Sequence, residues 1–111
     1  MNTTTTPPAV ARYLRAADAD DAQACADCFT PDGTVLDEGH TYRGRAEILA
    51  WRTALAGRWT YTSTVTGVAE PGADGEYRLG VHLVGDFPGG EADLRFGFTL
   101  RGDLISALRI V

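Results

Sequence analysis

Asp37 closes an otherwise apolar strand pattern, Thr34-Val35-Leu36-Asp37, and Tyr13, a phenol that could face it, lies on an amphipathic helix earlier in the chain. A carboxylate is costly to desolvate unless a partner or a raised pKa relieves it. Held over an apolar pocket, with the phenol available to face it, such a group is a base for proton transfer. The structural alternative is a turn-proximal aspartate capping Gly39 and the loop beyond. Tyr13 has an alternative too: a buried ring whose hydroxyl is tied to a backbone carbonyl. His40, three residues after Asp37, could add a second acid–base group at a pocket rim, although Asp-x-x-His across a turn is more often an exposed pair.

Cys25 and Cys28 form a C-x-x-C, the spacing of redox pairs and of half a zinc site. A four-ligand zinc site needs a second pair, and neither histidine stands at the required spacing. Redox pairs of the thioredoxin type open a helix after a strand, whereas this pair sits inside a helical pattern. Two small, buried or half-buried helix residues are expected instead. Asp86, Glu91, Asp93 and Asp103 cluster near turns and read as solvated. No phosphate loop, Ser-His-Asp set or metal-ligand cluster is visible, so neither metal nor cofactor is expected.

The chain has 111 residues, 44% hydrophobic and 23% charged, which fits one domain with a single core and room for a small internal pocket. A formal net charge of -5 and the absence of any basic run argue against nucleic acid, whose phosphates need clustered Lys or Arg. All ten basic residues are Arg, a usage typical of GC-rich bacterial genomes. No apolar stretch approaches bilayer-spanning length. Residues 1–8 lack a basic region followed by an apolar one, so they read as a disordered tail rather than a signal peptide, and a cytoplasmic location is expected.

These side chains need elements to hold them. Val10, Tyr13, Leu14 and Ala17 recur at helical spacing and predict a helix over about 8–19. Asp20 or Asp21 caps a short second helix with an inner stripe of Ala22, Cys25, Cys28 and Phe29, ended by the turn Thr30-Pro31-Asp32-Gly33. A strand over 34–38 and a loop at 38–40 lead to a third helix near 45–57, with Ile48, Trp51 and Leu55 on one face and an end at Gly57. From about residue 58 the period changes to two: Trp59, Tyr61, Ser63 and Val65, then Tyr77, Leu79, Val81 and Leu83, then Leu94, Phe96, Phe98 and Leu100, then a last strand over 104–111. Turns are expected at 71–75, 88–90 and 102–103. The class is α+β: three N-terminal helices packed in the concave face of a strongly curved antiparallel sheet, a cone whose mouth would take a small ligand.

The element order, together with Arg12-Tyr13, Phe29-Thr30-Pro31-Asp32-Gly33-Thr34-Val35-Leu36-Asp37, Arg43-Gly44-Arg45-Ala46-Glu47-Ile48 and Trp51, resembles the NTF2-like superfamily. Its closest branch looks like the SnoaL-like proteins, relatives of ketosteroid isomerase. The resemblance covers about residues 9–55 by motif and the rest by strand pattern. It implies one cystatin-like domain over 9–111, with Asp37 as proton shuttle, Tyr13 as oxyanion donor and Trp51 as an aromatic wall. The second, carboxylic-acid donor of ketosteroid isomerases does not carry over, because Phe96 falls at its position. Proton transfer, cyclisation, hydration or plain ligand binding are the activities that remain, with a non-catalytic binding or dimerisation module as the alternative. The expected substrate-binding residues are Trp51, Tyr61, Leu83, Phe96, Phe98 and His40. If Gly89-Gly90 is a two-residue turn, Leu83 pairs with Phe96 and His82 points to the convex face. There His82, Val84, Arg95 and Gly97 would form a homodimer contact, with Gly80 and Gly97 admitting close approach.

Overall fold

The computed structural model describes residues 6–66, 70–72 and 75–111. Most of the expected N-terminal tail, residues 1–5, lies outside the described residues, and Pro8 already opens helix α1 (Pro8–Asp18). A proline at the first helical position gives up an N–H that would have had no partner there. The helix buries Ala9, Val10 and Tyr13. It stops where Asp20 enters the left-handed region at φ 54, and the Asp20 and Asp21 amides return to the Ala17 and Ala16 carbonyls. Asp21 then caps α2 (Ala22–Asp27), its side chain accepting from the Ala24 amide at 3.0 Å.

Strand β1 (Phe29–Asp37) begins before the Thr30–Gly33 turn rather than after it. The turn is absorbed as an irregularity, across which the pairing with the last strand shifts register between Phe29 and Thr34. Glu38 and Gly39 both have positive φ, 54 and 77, and form a two-residue turn into β2 (His40–Arg43). His40 therefore belongs to a strand, paired with Asp37, and not to a loop.

Helix α3 (Arg45–Arg58) starts from Gly44, whose amide donates to the Gly33 carbonyl at 2.7 Å. The Arg45 guanidinium donates twice to the Phe29 carbonyl, at 2.9 and 2.7 Å, and so ties the helix to the irregular part of β1. The helix buries Ile48, Trp51 and Arg52, and it runs through Gly57 to end at an extended Trp59.

The remaining strands are β3 (Tyr61–Val65), β4 (Glu70–Pro71), β5 (Tyr77–Gly85), β6 (Glu91–Arg101) and β7 (Leu104–Ile110). Their order is β2-β1-β7-β6-β5-β3, with the two-residue β4 beside β5. One pair departs from the antiparallel expectation: β1 and β7 run parallel. The β5-β6-β7 meander reverses at each turn, and its last strand arrives at the free edge of β1 in the same direction. The turn expected at 71–75 lies partly outside the described residues; Gly75 donates to the Gly72 carbonyl at 3.0 Å. Tyr13, Phe29, Ile48, Phe98, Ile105 and Leu108 are fully buried and form the heart of the core.

The β5–β6 connection corrects one expectation. Leu83 pairs with Ala92 and Phe96 with Leu79, because the link is longer than two residues. Asp86 is held against β3, its amide donating to the Thr60 carbonyl at 3.0 Å and its side chain accepting from the Thr60 amide at 2.8 Å. The slip relative to the expected register is even, so every side chain keeps its face. His82 is still convex, but opposite Asp93 rather than near Gly97.

On that convex face a Cβ at Gly97 would collide with the Glu76 carboxylate, and one at Gly80 with the Thr66 hydroxyl. Arg109 holds Glu76 through two bonds, 2.7 and 3.1 Å, and Arg78 adds a third at 2.9 Å. The space over both glycines is thus taken by the chain's own side chains. Among the described residues no helix is long and apolar enough to cross a membrane.

Candidate functional site

A cavity of about 500 Å³ opens between α1, α3 and the concave face of β3, β5 and β6, a size suited to a small organic ligand. Asp37, Tyr13, Trp51, Tyr61, Leu83 and Phe96, named from the sequence, all line it. Phe98 and His40 do not. Phe98 lies in the layer beneath, fully buried, with its ring 5.8 Å from Tyr13 and 6.1 Å from Phe96. His40 projects from β2 into a neighbouring groove with Tyr42, whose ring is 4.6 Å away. Asp37 and Trp51 border both spaces, as do Glu38, Leu55 and Arg58.

Asp37 owes its position to the tight Glu38-Gly39 turn, which ends β1 at the cavity edge. The Trp51 indole N–H donates to Asp37 Oδ2 at 3.1 Å. Burial raises the Asp37 pKa above the ordinary carboxylate value, and the Trp51 bond partly offsets the rise. The result is a half-buried carboxylate of increased basicity beside apolar walls. Tyr13 is 1% exposed and packs edge-on against Phe29 at 5.9 Å. Burial pushes its phenol well above the ordinary range, so it is a neutral donor at any physiological pH.

Arg52 is the buried charged residue of the cavity that the sequence does not single out. It is 4% exposed and lines the same space. Its Nη1 donates to the Tyr61 hydroxyl at 3.3 Å, and Nη2 reaches the Ala17 carbonyl at 3.4 Å and the Asp20 carboxylate at 3.7 Å. A signal existed: Arg52 stands four residues after Ile48, on the same inner stripe as Trp51 and Leu55. At the mouth, Phe87 lies edge-on to Trp59 and Tyr61, at 6.4 and 6.5 Å, and the Arg58 guanidinium sits 5.2 Å over the Trp59 ring.

The other candidates fall outside the cavity. Both cysteines are free and buried. Burial pushes the Cys25 thiol up to about 11 and raises that of Cys28, whose Sγ donates to the Ala24 carbonyl at 3.3 Å, so both stay protonated. His82 on the convex face contacts Asp93 at 2.7 Å and Glu91 at 3.1 Å, and the Asp93 bond raises its pKa. Among the described residues no group of three or more His, Cys, Asp or Glu could hold a metal ion.

Comparison with known proteins agrees with this fold. A proposed polyketide cyclase from Sinorhizobium meliloti superposes with a TM-score of 0.87 at 28% identity, over 95% of this chain and 94% of its own. A protein from Catenulispora acidiphila with a ketosteroid isomerase-like fold, solved with trimethylamine, gives a TM-score of 0.84 at 23% identity, over 96% and 86%. SalBIII, an epoxide hydrolase/cyclase-like enzyme of pyran ring formation in salinomycin, gives 0.77 at 21% identity, over 92% and 85%. The last two show the shared fold alone. No match was found among curated proteins. The family model for the SnoaL-like domain matches residues 10–106, nearly the whole chain. This protein belongs to the SnoaL-like domain family.

Proposed function

We propose that this SnoaL-like protein binds a small, largely apolar molecule in its cone and moves a proton on it, in an isomerisation, cyclisation or hydration. Asp37 is the base and Tyr13 the hydrogen-bond donor. The observation that carries the reading is the Asp37 carboxylate itself. It is half-buried at the cavity wall, raised in pKa by desolvation, and oriented by the Trp51 indole rather than by a salt bridge. A structural carboxylate at a strand end would be expected to face water or pair with Arg43 or Arg45, and Arg45 is instead engaged with the Phe29 carbonyl. In this scheme Asp37 takes a proton from carbon or from water, and the Tyr13 hydroxyl stabilises the charge that develops, its hydrogen bond strengthened by the dry walls. The proposal of polyketide cyclase activity for the similar Sinorhizobium meliloti protein is consistent with chemistry of this type in a similar frame.

Phe96 favours a second reading. It lines the cavity where the sequence resemblance would put a second acid donor, and a benzene ring contributes nothing to an oxyanion. A binding module without turnover fits that feature. The two readings separate on Asp37→Asn: for an enzyme it abolishes turnover while ligands from a panel of small aromatic and alicyclic ketones bind nearly as before. Turnover at the wild-type rate would sink the catalytic assignment and leave the binding module. A cytoplasmic homodimer joined through the convex face belongs to the same proposal. Its support is Val84, an apolar side chain 47% exposed there beside His82.

A further inference from the structure

The proton transfer proposed above leaves the buried cation of the cavity unused. Arg52 is 4% exposed and its guanidinium lies 5.6 Å from the centre of the Trp51 ring, yet none of its polar contacts, at 3.3, 3.4 and 3.7 Å, is as short as an ordinary charge-assisted bond. The only formal anion among them, Asp20, has a side chain 67% exposed to water. Arg52 Nε is buried and has no hydrogen-bond partner among the described residues. Structural arginines in this chain look different: Arg109 grips Glu76 at 2.7 and 3.1 Å, and Arg45 grips the Phe29 carbonyl at 2.7 and 2.9 Å. A guanidinium cannot shed its proton to escape burial, so the charge has to be answered by an acceptor.

We infer that the acceptor comes from the ligand: the cavity takes an apolar skeleton carrying one carboxylate, and that carboxylate is anchored at Arg52. Tyr61 completes the anchor. Its hydroxyl oxygen accepts from Arg52 Nη1, which leaves its own O–H to donate elsewhere, and its ring lines the same cavity. Arg52 and Tyr61 together therefore offer a cationic and a neutral donor to one anionic group. Leu55, Val81, Leu83, Leu94 and Phe96 receive the skeleton. Of the other charged side chains at the cavity, Asp18 accepts from Ser63, Asp37 from Trp51, Glu38 is exposed at the rim beside Asp37, and the Arg58 guanidinium sits over Trp59. Arg52 is the buried cation among them. Anchoring one end of the ligand at Arg52 would also fix which of its atoms reaches Asp37.

This inference rests on the ligand-binding reading of the cavity, and the test separates the two. Titration calorimetry compares 2-naphthoate with its uncharged isostere 2-naphthamide on the wild-type protein, on Arg52→Gln and on Tyr61→Phe. The wild type should prefer the carboxylate by about tenfold or more, the scale of one charge-assisted contact. Arg52→Gln should remove that preference, costing the carboxylate about tenfold more affinity than it costs the amide. Tyr61→Phe should reduce the preference in part, and it supplies the answer if Arg52→Gln does not fold. Equal affinity for the two molecules in the wild type overturns the inference and leaves the cavity reading standing. A carboxylate preference undiminished in both variants overturns the role of this pair. If neither molecule binds the wild type, the cavity reading fails and the inference falls with it.

Discussion

Trp51→Phe tests the device that orients Asp37. The substitution keeps an aromatic ring in the wall and deletes one group, the indole N–H that donates to Asp37 Oδ2 at 3.1 Å. A bond to an ionised acceptor contributes about 1.5–3 kcal/mol, and the partial exposure of Asp37 places this one at the lower end, about 1.5 kcal/mol. Replacing indole by benzene at a position 5% exposed also opens a gap, which costs about 1 kcal/mol at every pH. Near pH 7 the variant should therefore be less stable than the wild type by about 2.5 kcal/mol. The sign with pH follows from burial. Because the folded state raises the Asp37 pKa, the stability this residue contributes is complete below the unfolded value and is lost as pH rises through the folded one. Removing the N–H raises the folded pKa further, so the loss deepens and extends to higher pH. Toward acid pH, where Asp37 is protonated, the difference between the proteins should shrink to about the packing cost alone, about 1 kcal/mol. Urea titrations of both proteins between pH 4 and 8, followed by the remaining Trp59, measure the difference directly. Carboxyl NMR locates the Asp37 titration itself. A stability cost that does not change with pH, or an Asp37 that titrates lower in the variant, would refute the reasoning.

Three further outcomes are expected. Tyr13→Phe should lower turnover by about 10²-fold, the scale of one oxyanion donor, in a steady-state assay with the substrate once found; an unchanged rate would remove Tyr13 from the chemistry. Gly97→Ala should destabilise the fold by about 1–2 kcal/mol in thermal or urea denaturation, because the new methyl must push the Glu76 carboxylate off Arg109. The same change in a Glu76→Ala background should cost much less, and equal costs in the two backgrounds would show that Glu76 is not the obstacle. The proposed dimer predicts sedimentation as a two-chain species at high micromolar concentration that Val84→Glu converts to monomer; a wild type that is monomeric throughout that range would dispose of it.

The parts of this molecule that could be read from the sequence are those fixed by local chemistry. The change of period near residue 58 marks the passage from helices to the meander, and Pro7-Pro8, Asp21 and Glu38-Gly39 set element ends by their own backbone preferences. What the sequence did not give are properties settled between elements. The parallel β1–β7 pair depends on where the meander arrives, which no turn residue states. The length of the β5–β6 link depends on Asp86 bonding Thr60, twenty-six residues away. Even so, the face of each strand residue survived, because a register slip of even size leaves the alternation intact.

Arg52 shows the most useful gap between pattern and site. Charged residues are almost always solvated, so an arginine on a helix is normally assigned to the wet face. Its spacing from Ile48 puts it instead on the inner stripe, beside Trp51 and Leu55, where a charge has to be answered by an acceptor. Asp37 draws attention because a carboxylate ends an apolar strand; Arg52 is the same kind of violation on a helix. The two also act on each other, since the Arg52 charge lowers the Asp37 pKa while burial raises it. A ligand carboxylate that neutralised Arg52 would weaken that opposing effect and leave Asp37 more basic when the cavity is occupied than when it is empty. Binding of the proposed acid and activation of the base are then one electrostatic event, and Asp37 should titrate higher with 2-naphthoate bound than with 2-naphthamide bound.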